Sequence, residues 1–200
     1  DEEGVVPGNC AKCHSDVGLP TFLSEGVNVS VRPSNGLACT TCHNDLKEFT
    51  RYEVESVKFP SGAVIDSGES DTNLCMNCHQ CRESTVSVDR LIGDTEPDAQ
   101  AENLRFLNPH YFAAGATRHG TEAKGAYEYE GKEYVGFFDH GNVNECNDCH
   151  ETHALVIDSA IGADCHEEVE TQEDMVNVRY NFVDYDGDGD DQEGIYFEIQ

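Results

Sequence analysis

The pentapeptide Cys-x-x-Cys-His occurs four times: Cys10-Ala11-Lys12-Cys13-His14, Cys39-Thr40-Thr41-Cys42-His43, Cys75-Met76-Asn77-Cys78-His79 and Cys146-Asn147-Asp148-Cys149-His150. Two thiols one helical turn apart can form thioethers with the two vinyl groups of a haem. The residue that follows then brings an imidazole onto the iron. Cys10, Cys13, Cys39, Cys42, Cys75, Cys78, Cys146 and Cys149 are therefore read as attachment points for four haem c groups, with His14, His43, His79 and His150 as proximal ligands. The competing chemistry is structural zinc, because paired Cys-x-x-Cys motifs also build four-thiolate sites. Zinc leaves a histidine after every second cysteine unexplained, four times out of four.

Axial ligands decide between catalysis and electron transfer. Four haems present eight axial positions, and the chain has nine histidines. Beyond the motif residues these are His110, His119, His140, His153 and His166. Any four of the five complete bis-His coordination and leave one spare. A six-coordinate iron offers no open position to a substrate and passes electrons only. Met76 lies inside a motif and Met175 in the tail, which argues against Met ligation. His153 follows His150 by three residues, so a continuing helix would place both on one face and bring His153 to a second, stacked haem. A distal ligand could also come from a neighbouring molecule. One iron left open would instead make a haem reductase of nitrogen or sulfur oxyanions.

The elements that must position these groups have little core to build on. The 200 residues are 38% hydrophobic, with 18 Gly and no Trp. Porphyrin faces are expected to replace a side-chain core, giving a mostly irregular, haem-packed chain with short α-helices and a few β-hairpins. Alternating residues predict a hairpin over 52–66, turning at Pro60-Ser61-Gly62, and a second over 126–137. A helix is expected over 97–107, with Pro97 in its first turn. Residues 1–170 are read as a tetrahaem domain and 171–200 as a small β unit, with strands at 176–180 and 195–199. Between those strands Asp184, Asp186 and Asp188 occupy positions 1, 3 and 5 of an EF-hand-like loop, with Gly189 at 6 and Asp190 next. Position 12 is Ile195 rather than Glu, and Glu193 could substitute in a tighter loop, so Ca²⁺ binding competes with a solvated acidic turn.

Two cysteines remain. Cys165-His166 has the form of a fifth motif in which Gly162 stands for the first cysteine. A Cys81–Cys165 disulfide is the preferred reading in an oxidising compartment, with single-thioether haem attachment as the alternative.

Twelve basic against 40 acidic residues give a net charge of -28. That sign excludes nucleic-acid binding and favours solubility in a harsh or salty medium over a specific cationic partner. No stretch is apolar enough to span a membrane. Haem is attached to c-type cytochromes outside the cytoplasmic membrane, so an export signal is expected to have been removed before Asp1. The sequon Asn28-Val29-Ser30 is compatible with an exported protein.

The segments Cys75 to Val88, Asn108-Pro109-His110-Tyr111-Phe112 to Thr117, the Tyr127 hairpin and Cys146 to His153 resemble exported multihaem c-type cytochromes. The Asp184 to Ile195 segment resembles their C-terminal ending, so the likeness covers about residues 70–200. Cys81 stands where such proteins often have Gly, and Gly162 replaces a motif cysteine, as though one haem had been exchanged for one disulfide. Tetrahaem proteins of this size also resemble the subunits of extracellular cytochrome filaments, or nanowires. That resemblance implies a homopolymer joined by inter-subunit haem ligation, with electrons conducted to external acceptors. A soluble tetrahaem shuttle is the alternative with the same chemistry.

Overall fold

The computed structural model describes residues 4–96, 98–100, 102, 104–158, 166, 169–179 and 181–199. The chain is mostly irregular. Its regular elements are the short helices α1 (Gly8–His14), α2 (Gly18–Glu25), α3 (Cys39–Cys42), α4 (Ser70–His79), α5 (Thr85–Ile92), α6 (Ala114–His119) and α7 (Cys146–Cys149), with two two-stranded antiparallel hairpins. Two compact units divide after His140: Asp1–His140 and Gly141–Gln200. The fourth motif thus falls in the second unit, whereas the sequence places a boundary between 170 and 171.

Every Cys-x-x-Cys forms a helical turn, the local geometry that thioether chemistry needs. In the first unit α1 and α2 meet at a buried corner. The Ser15 hydroxyl donates to the Ala11 carbonyl at 2.7 Å and accepts the Gly18 N–H at 2.9 Å. Gly18 permits this approach, because a Cβ there would lie 2.0 Å from the Ala11 oxygen. The first expected hairpin forms as β1 (Val57–Lys58) and β2 (Val64–Ile65), with Val57 opposite Ile65. Alternation turns Val57, Phe59 and Ile65 inward and leaves Lys58 and Val64 exposed. Its turn closes through the Gly62 N–H on the Phe59 carbonyl at 2.9 Å, with Gly62 at φ +94, a conformation glycine adopts without steric cost.

Leu74 and Met76 of α4 pack into the same small cluster. Asn73 ties α4 to the hairpin: its Nδ2 donates to the Val54 and Glu55 carbonyls at 3.0 Å, and its Oδ1 accepts the Ser67 N–H at 3.0 Å. Ser84 caps α5 by exchanging bonds with Ser87. Helix α6 lies against the end of α4, where a Cβ on Gly115 would stand 3.0 Å from the His79 carbonyl oxygen.

In the second unit β3 (His150–Glu151) pairs with β4 (Val156–Ile157), a hairpin with no expectation in the sequence. The remaining tail is organised by Arg179. Its guanidinium pairs with Glu198, a pair almost wholly buried, and bonds the Asn181, Glu193 and Val183 carbonyls.

Three expected elements do not form among the described residues. Of 97–107, the described residues 98–100, 102 and 104–107 are turn and extended chain, with Asp98 left-handed at φ 66. Leu104 and Phe106 are exposed there, and a short helix without a buried face is marginal. Over 126–137 no ladder forms. The Tyr129 N–H donates to the Tyr134 hydroxyl at 2.9 Å, and the Val135 carbonyl is taken by the Thr121 N–H at 3.0 Å. The tail strands are replaced by 3₁₀ turns at Gln172–Asn177 and Phe197–Ile199. Alternation would have put Arg179 outward, but its buried pairing with Glu198 draws the chain into a knot of side-chain bonds instead.

Candidate metal centres

Each motif helix presents its two thiols one turn apart and then delivers a histidine. In the second and fourth motifs the helix stops at the second cysteine, and His43 and His150 take extended backbone with φ -101. Their N–H groups close back onto the first cysteine carbonyl of the motif. His43 Nδ1 donates to the Phe49 carbonyl at 2.9 Å, and His79 Nδ1 donates to the Phe112 carbonyl at 2.7 Å. An imidazole bonded at Nδ1 to a backbone carbonyl has its tautomer fixed and presents Nε2 to a metal. Both acceptors sit on left-handed residues, Phe49 at φ 54 and Phe112 at φ 53, which side-chain-bearing residues rarely adopt.

The first and third motifs face each other. Cys13 Sγ lies 3.9 Å from the Asn77 carbonyl oxygen, and Cys78 Sγ lies 3.9 Å from the Lys12 carbonyl oxygen. Each thiol thus meets the residue preceding the other, a local two-fold arrangement of two second cysteines. The hydrogen bond with Cys78 lowers the Cys13 thiol to about 6, while the same bond and burial push Cys78 upward. Burial also raises Cys42 and Cys149.

The distal candidates fall in different surroundings. His110 faces the first motif: its Nε2 is 3.5 Å from Nε2 of His14, the rings inclined at 74°. His119 is 3% exposed, packed between Phe59 and Phe137. Its Nδ1 meets Glu122 Oε2 at 3.3 Å, and its Nε2 is buried with no partner among the described residues. A carboxylate on one ring nitrogen and an orphaned lone pair on the other is the donor arrangement of a ligating histidine. The His140 ring lies tilted at 56° to that of Phe138, with 6.1 Å between ring centres. His153 does not share a helical face with His150, because α7 ends at Cys149 and β3 begins at His150. That leaves His153 in the hairpin turn. His166 is half-buried, and its carbonyl accepts the Val169 N–H at 3.0 Å. Cys81 is a buried thiol donating to the Glu83 and Pro109 carbonyls at 3.1 and 3.0 Å; Gly162 and Cys165 lie outside the described residues.

These residues fit the group their motifs imply. The thiol pairs are spaced for thioethers, and His43 and His79 are oriented through Nδ1. Large apolar side chains such as Phe49, Phe106, Tyr111 and Phe112 stand exposed in the first unit, as they would where a porphyrin completes the core. The buried Nε2 of His119 lacks the partner that a buried donor or acceptor requires.

The acidic tail loop is a separate cluster. Carboxylate oxygens of Asp184, Asp186 and Asp188 lie within 4.8 Å of one another, and so do those of Asp186, Glu193 and Glu198. Asp190 joins neither group. Asp184 accepts the Gly187 and Gly189 N–H groups, which curl the loop around it. Burial, then repulsion from Asp188, Asp186, Glu198 and Asp190, raises Glu193 above the ordinary carboxylate range. Glu198 was not among the sequence candidates; it sits in an expected strand, and its pairing with Arg179 and the Tyr185 N–H it accepts at 2.7 Å hold it inward.

Residues 2–80, which hold the first three motifs, match a family model described as cytochrome c7 and related cytochrome c. The match covers less than half of the chain. It overlaps the likeness read from residues 70–200 only around the third motif. It supports a multihaem c-type cytochrome carrying covalently bound haem c, an electron-transfer class. No curated protein and no solved structure matches the chain. Among the described residues no helix is long and apolar enough to cross a membrane.

Proposed function

We propose that this protein transfers electrons outside the cell through four c-type haems, each iron held between two imidazoles, as the subunit of a conductive cytochrome filament. When bound, haem c supplies a one-electron iron couple, and the polypeptide sets its spacing and potential. Cys10/Cys13, Cys39/Cys42, Cys75/Cys78 and Cys146/Cys149 would hold the four groups, with His14, His43, His79 and His150 as proximal ligands. Four of His110, His119, His140, His153 and His166 would complete the coordination.

The observation that carries the reading is the treatment of the imidazoles. Two motif rings are fixed through Nδ1 by carbonyls, and His119 buries an Nε2 that no described residue satisfies. Such ligands close each iron to substrate, which makes the protein a relay rather than an enzyme. The spare histidine supports assembly, since one ligand given to a neighbouring subunit would hold together chains of charge -28 that otherwise repel. A Cys81–Cys165 bridge and a Ca²⁺ ion in the Asp184–Glu193 loop belong to the same proposal.

Electron microscopy and optical spectroscopy of the natively released holoprotein test it together. Filaments with wholly low-spin ferric haem are the expected result. Monodisperse low-spin particles would refute the polymer and leave a soluble shuttle. High-spin ferric iron, or carbon monoxide binding after reduction, would refute the closed relay and favour a reductase.

A further inference from the structure

The three residues His110-Tyr111-Phe112 touch two motifs at once. At one end the His110 imidazole faces His14 of the first motif, Nε2 to Nε2, across 3.5 Å. At the other end the Phe112 carbonyl accepts the Nδ1–H of His79, of the third motif, at 2.7 Å. The gap between the two imidazole nitrogens is long for a hydrogen bond, whose usual N–H to acceptor separation is about 2.9–3.0 Å. It falls just short of the roughly 4 Å that two metal–imidazole bonds of about 2 Å each would span. Two ring nitrogens facing one another across such a gap are placed as two ligands of one metal would be.

The backbone of this segment is strained at both ends. His110 adopts φ 79 and Phe112 φ 53, left-handed conformations that cost a side-chain-bearing residue energy and persist only where surrounding contacts enforce them. Asn108 contributes one such contact, accepting the His110 N–H on Oδ1 at 2.9 Å. The strain therefore serves to hold His110 toward His14 and the Phe112 carbonyl toward His79 together.

We infer that His110–Phe112 is a strap serving two irons: His110 is the second axial ligand of the haem at Cys10/Cys13/His14, and the Phe112 carbonyl tunes the proximal imidazole of the haem at Cys75/Cys78/His79. The inference rests on the bis-His reading above and specifies it. His110 is a ligand in this scheme, and Phe112 is a positioning residue that acts through His79. A carbonyl on Nδ1–H makes the imidazole a stronger donor and favours ferric iron, so losing it raises the potential of that haem. Since the second cysteines of the same two motifs are adjacent, the strap ties together two neighbouring redox centres.

The test uses the holoprotein. His110→Ala is expected to turn one haem in four high-spin, with added imidazole restoring it. In a background lacking the first haem (Cys10→Ser with Cys13→Ser), the same change is expected to leave the three remaining haems low-spin. A new high-spin haem in that background would assign His110 to another iron and overturn the proposal. Should that background not fold, a density map of the wild-type holoprotein decides: an imidazole other than that of His110 on the first iron refutes the ligand. For the strap, Phe112→Pro cannot adopt positive φ and is expected to raise one of the four potentials while every iron stays low-spin. Phe112→Gly, which keeps the left-handed backbone, is expected to leave the potential in place. Equal potentials in both variants would overturn the tuning role. High-spin iron in the wild type would instead sink the bis-His reading itself, so the two failures are distinct.

Discussion

Replacing Gly18 by alanine tests whether the corner between α1 and α2 sets the first attachment motif. The added Cβ would sit 2.0 Å from the Ala11 carbonyl oxygen, where Cβ contacts below 3.0 Å are essentially unknown, so the two segments must part by about 1 Å. The colliding atom is backbone between Cys10 and Cys13 and cannot swing aside. Separation also breaks the relay in which buried Ser15 donates to Ala11 and accepts from Gly18. Overpacking costs about 1–3 kcal/mol and the broken hydrogen bond about 1 kcal/mol. Alanine's better helix propensity offsets up to about 1 kcal/mol of this, leaving a net loss of about 1–4 kcal/mol. Urea unfolding of the holoprotein, followed by far-ultraviolet circular dichroism, reads the change. Gly136→Ala is the control, because its Cβ would have no neighbour closer than 3.6 Å. Its stability is expected to stay within about 0.5 kcal/mol of wild type. Gly18→Ala unfolding at the wild-type urea concentration would refute the argument that this corner is close-packed.

Three further outcomes are expected. His119→Ala opens one iron in four to carbon monoxide after reduction, read by optical spectroscopy; four haems that stay low-spin would make His119 a core residue only. Asp66 accepts bonds from Asn73 and the Gly68 N–H, which hold its carboxyl below the usual 3.8. The stabilisation is therefore complete above that value and is lost as pH falls through the lower folded value. Asp66→Asn should accordingly show a flatter loss of stability than wild type in urea titrations below about pH 4, and parallel profiles would contradict the assignment. Calorimetric titration with Ca²⁺ is expected to show binding that weakens about tenfold in Asp186→Asn. Binding should also fade as pH drops through the raised Glu193 value, since a protonated carboxyl no longer attracts the cation. No heat from the unmodified protein would leave the loop a solvated turn.

The motifs were legible because thioether spacing is a local requirement: four residues suffice, and each forms its helical turn whatever lies around it. The first hairpin was legible for a related reason, with Val57, Phe59 and Ile65 alternating about a Pro-Ser-Gly turn. What failed depended on partners distant in sequence. The alternation of Val176, Val178 and Tyr180 spelled a strand, but Arg179 between them finds Glu198, a pairing that no local pattern announces. The Tyr127 region lost its ladder to the Tyr134 hydroxyl and to Thr121, fourteen residues before the Val135 carbonyl it takes. His153 misled because the spacing to His150 assumed a helix that runs on to residue 153, and the helix stops at Cys149. His110 and His119 were equal candidates by composition. Only the fold separates one that faces a motif histidine from one buried with an orphaned nitrogen.

The reciprocal contact of Cys13 and Cys78 bears on how this protein can be divided. Motifs far apart along the chain are neighbours in space, so the order of synthesis is not the order of the circuit. A fragment ending at residue 80, where the family likeness ends, keeps both cysteines of that contact. It loses His110, which faces His14, and the Phe112 carbonyl, which holds His79, and on the proposed ligation these are a ligand for one iron and the tether for another. That fragment contains three complete attachment signatures, and the proposed ligation would still leave it short of a self-sufficient module. On the proposed ligation, autonomy is set by where ligands return, and the return for the first haem comes nearly a hundred residues after its attachment.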